Sequence, residues 1–313
     1  MQTTSKHLSS STAARGYTIT ELMVALALMG VVSGQLMLVL QTQNKSHSDQ
    51  ARVLEAQQDV RLSTELILSD LRMSGFLVPG SVGMSSTDGG TGAPDVVCAS
   101  DPSVFPESSI TGATELYETA TAVSAVGAGA TAINILPSTL DIDGDGTDDF
   151  TVDSGIIFSD GTGSHCARIT SIAGGTIGFT PPTPAGFSVP ASSATEVVPA
   201  VVYEVDATGL RRNNILLSPL VENLQIEYGV DRNANGQIDA GEFPVHDLND
   251  ANPIFASDPS LIMGAQISLI TRTSLADPDF SGPGMPGSAN HTGGAADGFK
   301  RRRITAIVTP RNL

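Results

Sequence analysis

The longest apolar segment of the chain lies close to its N-terminus. From Leu22 to Leu40 every residue is apolar except two glycines, one serine and one glutamine, and this length matches the ~20 residues that a helix needs to span a bilayer. Residues 1–16 are mainly polar, carry Lys6 and Arg15, and contain no acidic residue. Because basic flanking residues stay on the cytoplasmic side, the pattern predicts one membrane-spanning helix with the rest of the chain exported.

The helical pattern continues beyond residue 40 and becomes amphipathic. Apolar residues recur at steps of three and four, which predicts one buried stripe on a helix that packs against its own domain. The stripe consists of Val53, Ala56, Val60, Thr64, Ile67 and Leu71. Gly75 and Pro79 are typical of a helix end. The sequence therefore predicts one long helix with an apolar first half and an amphipathic second half.

Beyond residue 76 the pattern changes to short β-prone runs separated by segments rich in glycine, proline and aspartate. The runs predict strands over residues 155–159, 167–172, 176–180, 197–205, 210–212, 220–230, 262–274 and 304–308. Residues 80–95 and 276–298 are predicted to be exposed loops. The predicted fold class is α+β, with the long N-terminal helix packed on a C-terminal, mainly antiparallel β domain that has long loops.

Composition and charge narrow the function classes. The chain has 313 residues, of which 33 are acidic and 16 basic, and its net charge is −17. This charge argues against a protein that binds nucleic acid over its whole surface. No nucleophile elbow, phosphate-binding loop or zinc-protease motif occurs, so the chain is not expected to be an enzyme. The basic cluster at residues 300–303 is expected on an edge strand, where charge hinders aggregation; contact with DNA or an acidic partner is the alternative.

The chain contains two cysteines, Cys98 and Cys166. Two are too few for a structural zinc site unless histidines supply the remaining ligands. In an exported chain, a single disulfide between them is the expected state. Whether the two residues come close enough depends on the fold.

The start of the apolar segment carries a specific motif. Arg15, Gly16 and Tyr17 are followed by Glu21 and then by an apolar helix, an order that resembles the leader and mature N-terminus of type IV pilins and pseudopilins. The resemblance implies that prepilin peptidase cuts between Gly16 and Tyr17, that Tyr17 is N-methylated, and that Glu21 pairs with the N-terminal amine of a neighbouring subunit. From physics alone, Glu21 marks either a functional partner site or the start of the helix at the headgroup level.

Two further segments narrow the resemblance. Residues 62–76, LSTELILSDLRMSGF, and the basic, β-prone ending over residues 300–312 are similar to the corresponding stretches of PilW-type minor pilins. This similarity implies a minor pilin that is held in the inner membrane by one helix, with its C-terminal domain in the periplasm, and that then enters the pilus at the cell surface. The implied partners are prepilin peptidase, other pilins and minor pilins, without nucleic acid. The implied role is to help prime pilus assembly.

The resemblance also implies a division of the chain into a leader (1–16), a transmembrane half-helix (17–40), an amphipathic half-helix (41–75) and a β-rich periplasmic or extracellular domain (76–313). Two alternative functions stay open. A minor pseudopilin of a type II secretion system shares the leader and the helix. A calcium-stabilised pilus adhesin or DNA-binding subunit would use the same N-terminal stem.

An acidic segment over residues 231–242 fits a calcium-binding loop of twelve positions. Oxygen-bearing side chains occupy positions one, three, five, nine and twelve, glycine occupies six, and position seven offers its backbone carbonyl. The predicted ligands are Asp231, Asn233, Asn235, Gln237, Asp239 and Glu242. Because a strand precedes the segment, such a loop is expected to staple the fold and not to act as a sensor. The alternative is a solvated turn rich in asparagine and glycine.

A second acidic segment gives a weaker match to the same pattern. Its predicted ligands are Asp141, Asp143, Asp145, Thr147 and Asp149, with glycine at position six but no acidic residue at position twelve. The alternative is a charged turn that precedes a strand. Together the two segments predict one or two structural Ca²⁺ ions, which suits an extracellular protein because calcium there is near millimolar.

Overall fold

The structure, a computed structural model, describes residues 16–104, 119–191, 194–239, 241–244 and 261–311. They form one long helix, α1 (Ile19–Met73), followed by short and long β-strands. The strands are β1 (Met84–Thr87), β2 (Val96–Ser100), β3 (Ala120–Thr121), β4 (Val126–Gly127), β5 (Ala132–Asn134), β6 (Gly155–Ser159), β7 (Ser164–Ala173), β8 (Thr176–Thr180), β9 (Ser188–Val189), β10 (Glu196–Asp206), β11 (Gly209–Arg212), β12 (Ile215–Ser218), β13 (Val221–Val230), β14 (Ile262–Arg272) and β15 (Arg301–Val308). The chain divides into two compact units, Met1–Ala51 and Arg52–Leu313, so α1 begins in the first unit and ends in the second.

The helix α1 continues for 55 residues, as the sequence predicts. It ends at Met73, and Gly75 then adopts a φ of +81°, a conformation that favours glycine after a helix. The Gly75 N–H donates a hydrogen bond to the Ser100 hydroxyl at 2.9 Å. The end of the helix is thereby tied to β2.

The predicted stripe on the second half of α1 is confirmed. Ala56, Val60, Thr64, Ile67 and Leu71 are all buried, and Val53 is half-buried. Val60, Ile67 and Leu71 pack in one core cluster with β10, β13 and β14. The one hydroxyl in the stripe is satisfied, since Thr64 donates to the Val60 carbonyl at 2.7 Å. The predicted fold class is therefore confirmed: a long helix is packed on a mainly antiparallel β domain.

The larger sheet is built around β10. Its strand order is β1-β2-β10-β6-β7-β8-β5. The strand β10 pairs antiparallel with β3 and β6 at its start, with β2 in its middle and with β11 at its end. Residues 197–203 of β10 are buried in succession. A strand that is covered on both faces needs a continuous apolar run and not an alternating pattern, which is what this segment provides.

The predicted disulfide between Cys98 and Cys166 is confirmed, with an S–S distance of 2.08 Å and a Cα–Cα distance of 5.7 Å. It joins β2 to β7, which are not neighbours in the strand order. The two strands come close because β1, at the end of the sheet, approaches β7; the hydroxyls of Ser85 and Ser164 lie 2.8 Å apart. The disulfide therefore locks two strands that the chain separates by 68 residues.

The smaller sheet has the order β13-β14-β15 with antiparallel pairing throughout. Alternate residues of β13, such as Leu224, Ile226 and Tyr228, join the cluster that contains α1. The residues between them point to the opposite face of the sheet, because side chains alternate along a strand. Among the described residues, β15 is an edge strand, as expected for the basic cluster.

Most of the predicted strands are observed, and β6 and β8 have the predicted bounds. The main difference is β1, which lies within the predicted loop over 80–95. Its sequence, MSST, lacks an apolar run, and it becomes a strand by pairing with β2 over four residues. Residues 276–298 form the predicted loop, in which the described bridges join Gly282 to Asp297 and Ser288 to His291.

Candidate functional site

The predicted cleavage site lies where the described residues begin. Gly16 and Tyr17 are both exposed and precede the first residue of α1, and a Cβ atom built on Gly16 would have no neighbour within 4 Å. Residues 1–15 of the predicted leader lie outside the described residues. A peptidase would therefore find the bond between Gly16 and Tyr17 outside regular secondary structure, where it can be bound in an extended form.

A capping box closes the N-terminal end of α1, and the sequence analysis did not identify it. The Glu21 N–H donates to the Thr18 hydroxyl at 3.2 Å. In return the Glu21 carboxylate accepts from the Thr18 N–H at 2.9 Å and from its hydroxyl at 3.1 Å. The signature was present in the sequence as Thr18-x-x-Glu21. Glu21 therefore takes part in capping the N-terminus of α1. It remains exposed and accessible to a second chain.

The first half of α1 carries its apolar residues on all sides. The helix is long and apolar enough to cross a membrane, and its most apolar window contains no residue buried within the chain. Large side chains such as Leu26, Met29 and Val32 are each more than 60% exposed. Such a surface is unfavourable in water and suits hydrocarbon or the packed helices of an assembly.

Two buried carboxylates anchor the loop at residues 231–242. Asp231 and Glu242, each 6% exposed, stand at its first and twelfth positions. Asp231 accepts hydrogen bonds from the N–H groups of Asn235 and Gly236 at 3.1 and 2.6 Å. Glu242 accepts from those of Arg232 and Asp239 at 3.0 and 2.7 Å. Both carboxylates are therefore fixed by the backbone that they surround.

The middle of this loop is organised around Asp239. The side-chain amides of Asn233 and Asn235 donate to one Asp239 oxygen at 3.0 and 2.7 Å. The backbone turns sharply at Ala234 and Gly236, whose φ angles are +54° and +77°. The structure thus brings these predicted ligands to one side of the loop, where the amide groups would have to rotate to present oxygen to a cation.

The weaker loop brings its carboxylates closer together. Oxygens of Asp141, Asp143 and Asp149 lie within 4.8 Å of one another, and this is the one such acidic group found among the described residues. Burial raises the pKa of the Asp149 carboxyl above its usual value, and the negative charges of Asp143 and Asp141 raise it further. Asp145 is exposed and does not belong to this group, and Thr147 is exposed as well. The three carboxylates of this loop are therefore closer together than those of Asp231, Asp239 and Glu242 in the first loop.

Backbone N–H groups orient the carboxylates of the weaker loop. Asp141 accepts from Gly144 at 2.7 Å and from Gly146 at 2.8 Å. Asp149 accepts from the Ile142 N–H at 2.5 Å. A hard cation would take the remaining lone pairs of these oxygens and relieve the repulsion among the three acidic groups.

Sequence reasoning missed the acidic residues that dock α1 on the β domain. Asp70 accepts a hydrogen bond from the buried Tyr203 hydroxyl at 2.6 Å and another from the Arg212 guanidinium at 2.9 Å. Asp59 accepts one from the Ser218 hydroxyl. In the sequence these acids read as the solvated side of an amphipathic helix, because their partners are more than 130 residues away.

Two of the four basic residues at positions 300–303 pair with acidic residues of the same chain. Lys300 pairs with Asp277 at 3.1 Å, and the Arg301 guanidinium pairs with Asp297 and Glu222. The remaining two arginines are exposed on β15. The two exposed arginines therefore lie on an edge strand, as the edge-strand interpretation expects.

No protein-family profile matches the chain, and no curated protein does either. Among solved structures, the chain resembles a type IV-like pilin from Thermus thermophilus with 11% sequence identity and a TM-score of 0.33. The similarity covers 82% of this chain and 97% of that one.

Proposed function

We propose that the protein is a minor pilin of the PilW type, inserted in the inner membrane by α1 and then incorporated into a type IV pilus, where it helps prime assembly. One observation carries the proposal: a single helix has an entirely exposed apolar first half and a second half whose stripe is buried against a β domain. The first half suits a membrane and afterwards the helical core of a filament. The prepilin-type motif stands at its start.

Processing is the first step that the proposal requires. Mass spectrometry of the assembled protein should find methylated Tyr17 at the N-terminus. Gly16→Leu should leave an uncut precursor. A Cβ atom at position 16 has no neighbour within 4 Å, so the leucine side chain should not disturb the fold and should act only by obstructing the peptidase. Intact Met1 in purified pili would overturn the proposal. A mature chain found in a secretion pseudopilus and not in a pilus would replace the pilus by the type II secretion alternative.

The role of the Glu21 charge in filament assembly can be separated from the role of Glu21 in the capping box. Glu21→Gln keeps a side chain that can cap the helix but removes the charge that would meet the amine of a neighbouring subunit. Thr18→Val removes the capping partner and keeps the charge. We expect the Glu21→Gln variant to insert in the membrane but to be depleted from pili, and the Thr18→Val variant to be depleted much less. Equal incorporation of Glu21→Gln and wild type would show that the charge pair is not needed.

We also propose that the two acidic loops bind structural Ca²⁺. Asp231, Asn233, Asn235, Asp239 and Glu242, with the Gln237 carbonyl, would hold one ion, and the Asp141, Asp143 and Asp149 group would hold the other. The support is the burial and backbone anchoring of Asp231 and Glu242 and the close approach of three carboxylates in the weaker loop. The bound ions would neutralise charge that otherwise loosens each loop.

Thermal unfolding of the full-length protein in detergent, with calcium and with chelator, tests this proposal. Calcium at a hundredfold excess over Kd adds about 2.7 kcal/mol to the free energy of unfolding, or roughly 5–10 °C in Tm. Glu242→Gln and Asp141→Asn should each remove part of the difference between the two conditions. Asp148→Asn, a change at an exposed position in the same loop as Asp141, should leave it intact. An unchanged wild-type Tm in chelator would reject both sites.

A further inference from the structure

An apolar groove lies on the outer face of the smaller sheet. Its floor is formed where Gly229 of β13 pairs with Gly264 of β14, so neither strand places a side chain there. Its walls include Ile238, Phe243 and Ile307, and its volume is about 170 Å³. Ile238 reaches over the floor, since a Cβ atom added to Gly229 would be 2.4 Å from its Cδ1 atom.

The walls of the groove leave large apolar surfaces in water. Ile238 and Phe243 are 44% and 41% exposed, and Ile307 is 70% exposed. The polar side chain at the rim, that of Gln266, is already used, because its amide donates to Glu227 at 2.7 Å. The groove therefore offers no polar recognition at its base and fits an apolar side chain of about the size of leucine or phenylalanine.

The strand beside the groove adds charge and backbone to the same surface. No described residue pairs with β15 on the side away from β14. Arg302 and Arg303 are exposed on it and form no ion pair with another described residue, in a chain whose net charge is −17. Arg303 and Ile307 point to the same face and are four residues apart, or about 13 Å along the strand.

We propose that this groove receives an apolar side chain of another pilin-like subunit, carried on an extended segment with an acidic residue that meets Arg303. The inference rests on the proposed function for the class of partner. The apolar lining selects the anchor, the open edge of β15 accepts an extended backbone, and the exposed arginines of an acidic protein select an acidic neighbour by charge complementarity. On a segment antiparallel to β15, the acidic residue follows the anchor by four positions.

The groove also depends on the loop at residues 231–242. Ile238 lies within that loop, and Phe243 directly follows Glu242, whose carbonyl accepts the Val230 N–H at 3.0 Å. The positions of Ile238 and Phe243 therefore depend on the conformation of the loop at residues 231–242. Calcium in this loop would fix the walls, so docking should weaken when calcium is removed.

Photo-crosslinking of the full-length protein in piliated cells tests the docking site. A photoreactive phenylalanine derivative at position 307 should give an adduct, and the same residue at position 215 should not; Ile215 is equally exposed, at 69%, but lies on β12. Gly264→Val should fill the groove and reduce the adduct at least fivefold. A Cβ atom built on Gly264 would lie 3.4 Å from the Val308 carbonyl oxygen. This is an ordinary van der Waals distance, so the fold should tolerate the change. Gly127→Val, on a strand with open space, is the matched control.

Identification of the adduct by mass spectrometry decides the outcome. The inference predicts a partner with its own prepilin-type N-terminus, joined through a segment with the apolar anchor, and a smaller yield with Glu242→Gln or chelator. No adduct, or an adduct with a lipid, with DNA, with a second copy of this chain or with an unrelated protein, would overturn it. If the mature chain begins at Tyr17 and is found in pili, but position 307 gives no adduct, then the docking site is wrong and the proposed function stands. A yield unaffected by calcium would overturn the calcium dependence.

Discussion

Removal of the Asp70 carboxylate should loosen the contact between α1 and the larger sheet. Asp70 is only 18% exposed and accepts hydrogen bonds from Tyr203 and Arg212. Burial raises the pKa of the Tyr203 hydroxyl well above its usual value, and the bond to Asp70 raises it further. Tyr203 therefore stays protonated and donates its hydrogen bond at any physiological pH.

The expected cost follows from these two bonds. Hydrogen bonds to charged groups contribute about 1.5–3 kcal/mol each. In Asp70→Ala the fully buried Tyr203 hydroxyl loses its partner, whereas the Arg212 guanidinium, one third exposed, can turn to water. We therefore expect a loss of about 3 kcal/mol, or roughly 6–12 °C in Tm. Thermal unfolding of the full-length protein in detergent measures the change.

Glu65→Ala is the matched control on the same helix. Its ion pair with Arg61 is mostly exposed, with side chains 62% and 78% accessible, and such pairs contribute only ~0.3–0.5 kcal/mol. Tyr203→Phe, alone and combined with Asp70→Ala, should give clearly non-additive losses because the two residues share one bond. Equal melting temperatures for Asp70→Ala and Glu65→Ala would refute the docking role of Asp70.

Two further predictions concern the β domain. Reduction of the disulfide between Cys98 and Cys166, whose positions are 68 residues apart, should lower the free energy of unfolding by about 4 kcal/mol; equal denaturant midpoints for the oxidised and reduced protein would contradict this. Burial raises the pKa of Asp95 to about 8, so the folded state holds a proton that the unfolded state releases above the usual carboxyl pKa. The free energy of unfolding should therefore fall as pH rises from about 4 to about 8. Denaturation at several pH values should show a smaller fall for Asp95→Asn than for the wild type, and an equal fall in both would contradict the prediction.

The local elements follow from patterns that lie within a few residues of one another. The stripe from Val53 to Leu71 has helical spacing, and the strands β6 and β8 are bounded by turn residues, so their positions could be predicted from the sequence. The capping box at Thr18 and Glu21 was readable as well, because both partners lie within one helical turn.

Other features depend on residues that are far apart in the chain. The strand β1 has no apolar run of its own and exists through its partner β2. By periodicity alone Asp70 lies on the solvated side of the helix. In the fold, Tyr203 and Arg212 donate hydrogen bonds to it. The loop at residues 231–242 was predicted from spacing, but the distances among its carboxylates depend on how the backbone turns.

The sequence by itself determined the long helix, its division into an apolar and an amphipathic half, and most of the strands. These are properties of periodicity, capping and turn chemistry, which act over short separations. Only the tertiary structure decided the strand order, the approach of Cys98 to Cys166 and the groove beside Ile307. These depend on contacts between residues tens to hundreds of positions apart, and the free energy of such contacts comes from the packing of whole surfaces, which no local pattern of residues encodes.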